Sequence, residues 1–219
     1  MAPDRAALPP TPDLEAVLRA AEQGQFPPAD GGLTLLPQPN PRDAAVLSFT
    51  GHIYVVADVA PSWLGERMRP GELSEAFTPP FLGALADHLD RRVNAIDLLA
   101  LAPDPPPRSN LPLTPVTDLE HPRVRRARRY RTQVRVFLTR GGVLVLGRGL
   151  GGRWEVGLEV DEARRGQGLG RELAVAAAGL VPAGRRLWAQ VAPGNAASLR
   201  AFLAAGYRPV GQEALLVQR

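Results

Sequence analysis

The sequence contains neither cysteine nor lysine, and each absence excludes a group of functions. Without cysteine the chain has no disulfide, no thiol nucleophile and no thiolate metal ligand, which is compatible with a reducing compartment. Without lysine it has no phosphate-binding lysine of the Walker type and no Schiff base with pyridoxal phosphate. All 26 basic residues are arginine, a bias for which genome composition is the simplest explanation. The three histidines are scattered without metal-ligand spacing, so we expect no metal site.

Long apolar runs are missing as well. No run reaches the length needed to span a bilayer, and the opening "MAPDRAALPPTPDLEAVL" lacks the basic-then-apolar pattern of a secretory signal. We therefore predict a cytoplasmic protein with no membrane partner. At 219 residues, the chain is long enough for one large domain or two small ones with a proper core.

Charge and proline are distributed unevenly along the chain. Residues 1–118 contain 15 acidic residues and 8 arginines, whereas residues 119–219 contain 7 acidic residues and 18 arginines. Nineteen of the 23 prolines precede residue 119. We predict an N-terminal α/β part over residues 1–102, a Pro-rich linker over 103–118 and a core over 119–219. An anionic ligand is expected in the basic half.

The N-terminal part shows helix and strand patterns but no motif that assigns a function. The chain is expected to be loose up to Pro12, after which Asp13 is a candidate N-cap for the helical stretch "LEAVLRAAEQ". Residues 29–41 are predicted to form a loop, and strands are predicted on both sides of Thr50-Gly51. A short helix in "SWLGERM", a helix in "PPFLGALADHLDRRV" and a buried strand in "DLLALA" follow.

The C-terminal half has a regular order of elements. A helix in "HPRVRRARRYR" precedes three strands, "TQVRVFLT", "VLVLGRGL" and "RWEVGLEV", the first two joined by a tight turn at Arg140-Gly141-Gly142. A helix through "LGRELAVAAAGL" and a strand "RLWAQVA" follow. The next helix, "NAASLRAFLAAG", has Asn195 as N-cap and Gly206 as its end. "YRPVG" and "EALLVQ" are predicted to be a closing pair of strands. This order predicts a layered α/β domain with a mixed sheet.

Three glycines lie between a predicted strand and a predicted helix, at positions 166, 168 and 170. The first amides of a helix have no intrahelical partner, and the helix dipole favours an anion there. Glycine also lets a ligand approach the backbone closely. This pattern favours a phosphate-binding loop, although a plain turn is the simpler alternative. The glycine loop does not fit the G-x-G-x-x-G fingerprint of dinucleotide-binding proteins, and no crossover strand carries the ribose-binding acid at the right distance.

Two motifs then point to a family. Arg165-Gly166-Gln167-Gly168-Leu169-Gly170 fits R-x-x-G-x-G, and a second motif, N-x-x-S-x-x-x-[YF]-x-x-x-G-[FY], is fitted by Asn195, Ser198, Phe202, Gly206 and Tyr207. Over residues 119–219 the sequence therefore resembles the GNAT superfamily of N-acetyltransferases. The resemblance implies a mixed, mostly antiparallel α/β sheet with a V-shaped splay, flanked by helices. The N-terminal α/β part, predicted from its own helix and strand patterns, is expected in addition to this sheet.

The resemblance also implies acetyl-CoA as co-substrate. The backbone from Arg165 to Gly170 would hold the CoA diphosphate, and the strand from Leu158 to Val160 would pair with the pantetheine arm. Asn195 and Ser198 would face the cofactor from the helix that begins at Asn195. The residues so assigned are Leu158, Glu159, Val160, Arg165, Gly166, Gln167, Gly168, Leu169, Gly170, Asn195, Ser198 and Phe202.

The implied reaction is transfer of an acetyl group to a primary amine of a small molecule or peptide within a ternary complex. Strand alternation puts Glu155 and Glu159 on one face, where either could serve as base, the alternative being that both are solvated strand residues. Phe202 occupies the position where the family often has a proton-donating tyrosine. Tyr207 is the assigned substitute, with Tyr130 or solvent as alternatives. A non-catalytic acyl-CoA-binding or regulatory module is the competing hypothesis.

Several features leave alternatives open. Residues 121–135 include seven arginines, and three interpretations are open. They could be a nucleic-acid interface or a site for the CoA 3′-phosphate. Alternatively, they are the solvated face of a helix whose Val124, Ala127 and Tyr130 face the sheet. We favour the solvated face, so nucleic acid is not an expected partner. The N-terminal part would supply the family's first strand and helix, wall off the acceptor pocket, or be a decayed second copy of the fold. Trp63, His52 and Asp58 are weak pocket candidates. The acceptor is not revealed, and a homodimer stays open.

Overall fold

The computed structural model describes residues 12–69 and 71–219, so the predicted loose segment before Pro12 lies outside it. Six α-helices are described: α1 (Leu14–Glu22), α2 (Pro61–Gly65), α3 (Pro79–His88), α4 (Pro122–Tyr130), α5 (Leu169–Ala178) and α6 (Ala196–Ala204). The strands are β1 (Leu33–Leu36), β2 (Ala45–Phe49), β3 (His52–Val56), β4 (Arg91–Leu101), β5 (Thr114–Val116), β6 (Thr132–Thr139), β7 (Gly142–Arg148), β8 (Trp154–Val160), β9 (Leu187–Val191) and β10 (Arg208–Gln218).

The described strands form one sheet in the order β1-β3-β2-β10-β4-β9-β8-β7-β6-β5. Two neighbouring pairs, β1 with β3 and β8 with β9, run parallel, and the other neighbours are antiparallel. The predicted mixed, mostly antiparallel α/β sheet is therefore confirmed. β4, from the N-terminal part, lies between β9 and β10, so both parts of the chain share this sheet. The division at residues 103–118 stays a prediction.

The V-shaped splay is formed by β8 and β9. Their parallel pairing runs from Trp154 opposite Leu187 to Val156 opposite Ala189 and then stops, although both strands continue. The amide and carbonyl groups on the β9-facing edge of β8 therefore lose their strand partner beyond Val156. This opening is the predicted splay.

Helices cover both faces of the sheet. Side chains alternate along each strand, so apolar side chains lie on both faces and both are packed against helices. On one face α5 and α6 pack on Leu187, Ala189 and Val191 of β9, with α3 further along the sheet. On the other face α1 packs around Trp188, and α4 packs on β7. Complete burial of a side chain such as Leu173 of α5 contributes roughly 1.5–3 kcal/mol, so this two-sided cover fixes the sheet around the splay.

Helix α1 is held on the C-terminal half by a buried polar contact. The Glu22 carboxylate accepts hydrogen bonds from Arg185 Nε at 2.8 Å and from Trp188 Nε1 at 3.0 Å. Glu22 is 4% exposed, so these bonds satisfy a carboxylate that burial would otherwise destabilise. The predicted Asp13 cap of this helix is confirmed, since its side chain accepts from the Ala16 N–H.

Two sequence predictions about strands were wrong. The predicted closing pair is the single strand β10, and the predicted loop over 29–41 contains β1. The short strand β5 lies within the predicted linker, whose bounds stay a prediction. The break was placed at Gly211 because glycine commonly marks a turn. In the structure this glycine permits close strand approach instead: a Cβ there would lie 2.0 Å from the Ser48 carbonyl oxygen of β2.

We expect Gly211→Ala to lower the free energy of unfolding by about 2 kcal/mol or more, because the added methyl must displace the β2 backbone. Urea denaturation measures the change. Gly83→Ala is the matched control: a Cβ at Gly83 meets nothing within 4 Å, and the residue lies inside α3, so we expect about 0.5–1 kcal/mol of stabilisation. Equal effects of the two substitutions would contradict the close approach.

Candidate active site

The glycine-rich stretch forms an open loop between β8 and α5. Gly166 and Gly168 have φ angles of 73° and 88°, a region that residues with a side chain rarely adopt. A Cβ on either would meet nothing within 4 Å, so the space above both glycines is free. A Cβ on Gly170 would lie 3.5 Å from Ala201 Cβ, an ordinary van der Waals distance, so this third glycine lies where α5 contacts α6.

The loop exposes backbone N–H groups without partners. Within residues 12–69 and 71–219, the N–H groups from Gly166 to Gly170 donate no backbone hydrogen bond, and no side chain caps α5. Arg165 lies beside them, with its Nε bonded to the Val160 carbonyl at 3.3 Å, and Arg164 and Arg171 are exposed nearby in sequence. Free amides, a helix N-terminus and arginines together favour an anion.

A cleft of about 290 Å³ opens where β8 and β9 diverge. Val156, Gly157 and Leu158 of β8 line it at the fork. Three of the residues that the second motif predicted also line it, from α6 and its N-cap, and they are Asn195, Ser198 and Phe202. The opposite walls come from α4 and β4, and they were not predicted. The structure thus brings Leu158, Asn195, Ser198, Phe202 and Glu155 together, with the glycine loop following at the end of β8.

Arg131 braces the fork itself. Its Nη2 donates to the Val156 carbonyl at 3.3 Å and to Gln190 Oε1 at 3.2 Å, and its Nε donates to Glu155 Oε2 at 2.8 Å. One guanidinium therefore contacts both strands where their pairing ends, which fixes the angle of the splay.

Asn195 has a structural role that is settled by its contacts. Its Oδ1 accepts a hydrogen bond from the Ser198 N–H at 3.0 Å, so it is the N-cap of α6, as predicted. Its side chain is exposed at the cleft. A role toward a cofactor would therefore be separable from the cap.

We expect Asn195→Ala to lower the free energy of unfolding by about 1 kcal/mol, because the first turn of α6 loses its acceptor. Asn195→Ser keeps a capping oxygen and should restore most of that loss in thermal unfolding. If alanine and serine variants are equally unstable, the cap is not what Asn195 contributes.

The predicted base candidates lie on one strand face but differ in surroundings. Glu155 is 4% exposed, and its carboxylate contacts Arg131 at 2.8 Å and Arg153 at 2.9 Å. Burial acts to raise the pKa of Glu155, but these two guanidinium groups outweigh burial and hold the pKa below its ordinary value. A carboxylate held in this way is a weak proton acceptor. Glu159 is half-exposed, with Arg123 Nε at 3.4 Å, which makes it the freer of the two.

Tyr207 lies in the core rather than on the cleft. It is 2% exposed, its hydroxyl donates to the Ala174 carbonyl at 3.1 Å, and burial raises the pKa of that hydroxyl. Its ring packs edge-on against Phe202, with centroids 4.9 Å apart. Tyr130, the other tyrosine considered, lines the cleft and accepts a hydrogen bond from Arg92 at 3.2 Å. This geometry favours Tyr130 or solvent over Tyr207 as proton donor.

Two of the three residues predicted to face the sheet from the arginine-rich helix α4 do so, whereas Tyr130 lies on the cleft. Val124 and Ala127 are buried against β6 and β7, as predicted. Two arginines of α4 line the cleft, as does Arg131, which directly follows the helix. The two helix arginines are Arg123 and Arg126. The helix is therefore more than a solvated surface.

The weak pocket candidates of the N-terminal part lie away from the cleft. His52 bonds Asp30 at 2.8 Å and Thr34 at 2.9 Å, and Trp63 lies beneath the Arg67 guanidinium. Asp58 accepts from the Gln38 N–H. Within the part of the chain that the structure describes, no group of three or more His, Asp or Glu is placed to hold a metal, and no helix is long and apolar enough to cross a membrane.

Sequence reasoning missed the residues that β4 and β10 bring to this region. Asp97 of β4 lines the cleft, and Glu213 of β10 accepts bonds from buried Arg153. No motif marks either residue, because each reaches the site through strand pairing with distant parts of the chain.

Comparisons with known proteins agree with the motifs. Residues 140–207 match the model of the acetyltransferase (GNAT) family, which confirms the resemblance over that segment. A GNAT-family protein from Novosphingobium aromaticivorans DSM 12444 is 21% identical, with a TM-score of 0.45; the alignment covers 59% of this chain and 68% of that one. A GCN5-related N-acetyltransferase from Kribbella flavida is 16% identical, with a TM-score of 0.42 and 64% of each chain covered. No curated protein matches the sequence.

Proposed function

We propose that this protein is an N-acetyltransferase that moves the acetyl group of acetyl-CoA to a primary amine in a ternary complex. The observation that carries the proposal is the continuity between the open fork of β8 and β9 and the free amides of the loop from Gly166 to Gly170. The match of residues 140–207 to the GNAT family supports it.

Each predicted cofactor residue has a place in this proposal. The N–H groups of the loop and the start of α5 hold the diphosphate, aided by Arg165. The β9-facing edge of β8 over residues 158–160 offers backbone N–H groups to the amide-containing pantetheine arm, because β9 no longer pairs there. Asn195, Ser198 and Phe202 close the arm in from α6.

The chain's own groups then act on the reaction. The neutral amine nitrogen forms a bond to the thioester carbonyl carbon, the C–S bond breaks, and the CoA thiolate leaves. The nitrogen loses one proton as it becomes an amide, and this proton passes to solvent or to the thiolate. Unpaired amides on the β9-facing edge of β8 stabilise the oxyanion. An ammonium acceptor must first lose a proton, directly to a carboxylate or through water. Of the two glutamates proposed from the sequence, Glu159 has the freer carboxylate, and Glu155 holds Arg131 at the fork.

Phe202 cannot donate a proton to the departing thiolate. Tyr130 and solvent are the available donors on the cleft, and thiolate can also leave unprotonated. Phe202 also favours the alternative of a non-catalytic acyl-CoA-binding module.

Release of free CoA, followed with a thiol reagent over a broad amine panel, separates the two functions. Amine-dependent release that exceeds background hydrolysis supports the acetyltransferase. Saturable acetyl-CoA binding with no release for any amine would support the binding module instead.

A further inference from the structure

The cleft contains seven charged side chains on its walls, and five of them already have partners. Arg42 contacts Asp43 at 2.9 Å, Arg123 contacts Glu159, and Arg131 contacts Glu155. Asp43 also accepts the Gly151 N–H at 2.9 Å. Each of these five side chains therefore already has an opposite charge within 3.4 Å.

Two charges of opposite sign remain on facing walls. Within residues 12–69 and 71–219, neither Asp97 nor Arg126 forms an ion pair, although both line the cleft. Asp97 lies on β4 and Arg126 on α4. A hydrogen bond links β4 to α4, since Arg92 of β4 donates to the Tyr130 hydroxyl of α4 at 3.2 Å.

Strand geometry places Asp97 beside the open end of the β8–β9 fork. β4 pairs with β9 only from Leu98 onward, opposite Val191, the last residue of β9. Asp97 is therefore the first residue of β4 past the end of β9, at the gap where β8 is also unpaired. It is half-buried, and burial raises the pKa of its carboxyl against the opposing influence of Arg126 and Arg153. A carboxylate with a raised pKa at this position suits proton transfer from an ammonium.

We infer that the acceptor is a small zwitterion, an amine that also carries an anionic group, bound with its ammonium at Asp97 and its anionic group at Arg126. This inference rests on the proposed function and names its substrate class. Asp97 accepts hydrogen bonds from the ammonium and then one proton, which leaves the amine neutral for attack on the thioester. Arg126 has free N–H donors in a planar fork that matches a carboxylate or phosphate. The N-terminal part thus forms the acceptor wall, the second of the three roles considered for it.

The test compares acceptors that differ in one charge. A series of straight-chain ω-amino acids is measured against the matching carboxamides and aminoalkyl phosphates, both as acetyl acceptors and by calorimetric titration with and without CoA. We expect kcat/KM for at least one amino acid or amino phosphate to exceed that of its neutral counterpart by about tenfold or more, the range of one charge-assisted hydrogen bond. A carboxylate-only or phosphate-only preference decides which anion the site takes.

Substitutions of Arg126 and Asp97 test which residue binds the anionic group of the acceptor and which binds its ammonium. Arg126→Gln should erase the preference, because KM for the charged acceptor should rise about tenfold more than KM for the carboxamide. Asp97→Asn should lower kcat/KM for every amine, and the loss should not be recovered at saturating acceptor. Arg125→Gln is the matched control, since it removes the same charge from an exposed position of α4 that pairs with Glu120 outside the cleft.

The inference and the proposed function fail in different ways. Suppose that the wild-type protein binds acetyl-CoA but transfers acetyl groups to acids and carboxamides equally, or binds both equally. This result overturns the inference of a zwitterionic acceptor and leaves the proposed acetyltransferase activity unaffected. So does an acid preference that Arg125→Gln reduces as much as Arg126→Gln. A lack of binding of any acceptor in either titration also overturns it. Failure to bind acetyl-CoA, measured on the same samples, overturns the proposed function instead.

Discussion

Gly168→Glu is expected to abolish the stabilisation of this protein by acetyl-CoA. A carboxylate at the N-cap of α5 would occupy the open space over the loop and place a negative charge against the diphosphate. Two like charges about 4 Å apart repel by about 4 kcal/mol at an effective dielectric constant of 20, which is enough to weaken binding by 100-fold or more. Ligand at about 100 times its Kd should stabilise the wild type by about 2.7 kcal/mol, measurable as a rise in Tm.

Gly168→Ala is the control for this substitution. Both variants impose a side chain on a residue with φ of 88°, so both carry the same backbone strain in the free protein. We expect the alanine variant to lose stability without ligand but to keep most of its response to acetyl-CoA. If both variants lose the response equally, the loop conformation and not the diphosphate charge determines binding.

Glu213→Ala is expected to produce the largest loss of stability. Arg153 is fully buried, and its Nη2 donates to the two Glu213 oxygens at 2.8 and 2.6 Å, while its Nε donates to Glu155 at 2.9 Å. Removal of Glu213 leaves one carboxylate for a desolvated guanidinium whose Nη1 already has no partner in the described structure. Breaking a buried pair of this kind costs about 3–5 kcal/mol, which urea denaturation resolves easily.

An exposed Glu–Arg pair provides the comparison. Glu15 and Arg19 on α1 are 3.0 Å apart, and both side chains are about half exposed, so Glu15→Ala should cost about 0.5 kcal/mol or less. A Glu213→Ala variant as stable as Glu15→Ala would show that the Arg153 network does not hold β10 and β8 together.

Local features of the site were predictable from the sequence, whereas its partners were not. The glycine loop and the Asn195 cap depend on residues within a few positions of each other, so their spacing was sufficient. The continuity of β10 depends on Gly211 meeting Ser48, which lies far away in sequence, and glycine alone indicated a break.

The same limit applies to charge. Strand alternation placed Glu155 and Glu159 on one face correctly, but the pairing of Glu155 with Arg131 and Arg153 depends on packing that no pattern reveals. Asp97 reaches the cleft because β4 inserts between β9 and β10. Insertion of a strand from the N-terminal part leaves no mark in the spacing of either part.

Calorimetric titration of the wild-type protein with acetyl-CoA tests the central proposal most directly. The free amides of the loop and the open edge of β8 predict one site per chain with micromolar affinity, and desulfo-CoA should compete for it because the diphosphate is retained. If folded protein gives no binding signal with acetyl-CoA, the glycines serve only the turn. The proposed acetyltransferase activity would then have to be abandoned.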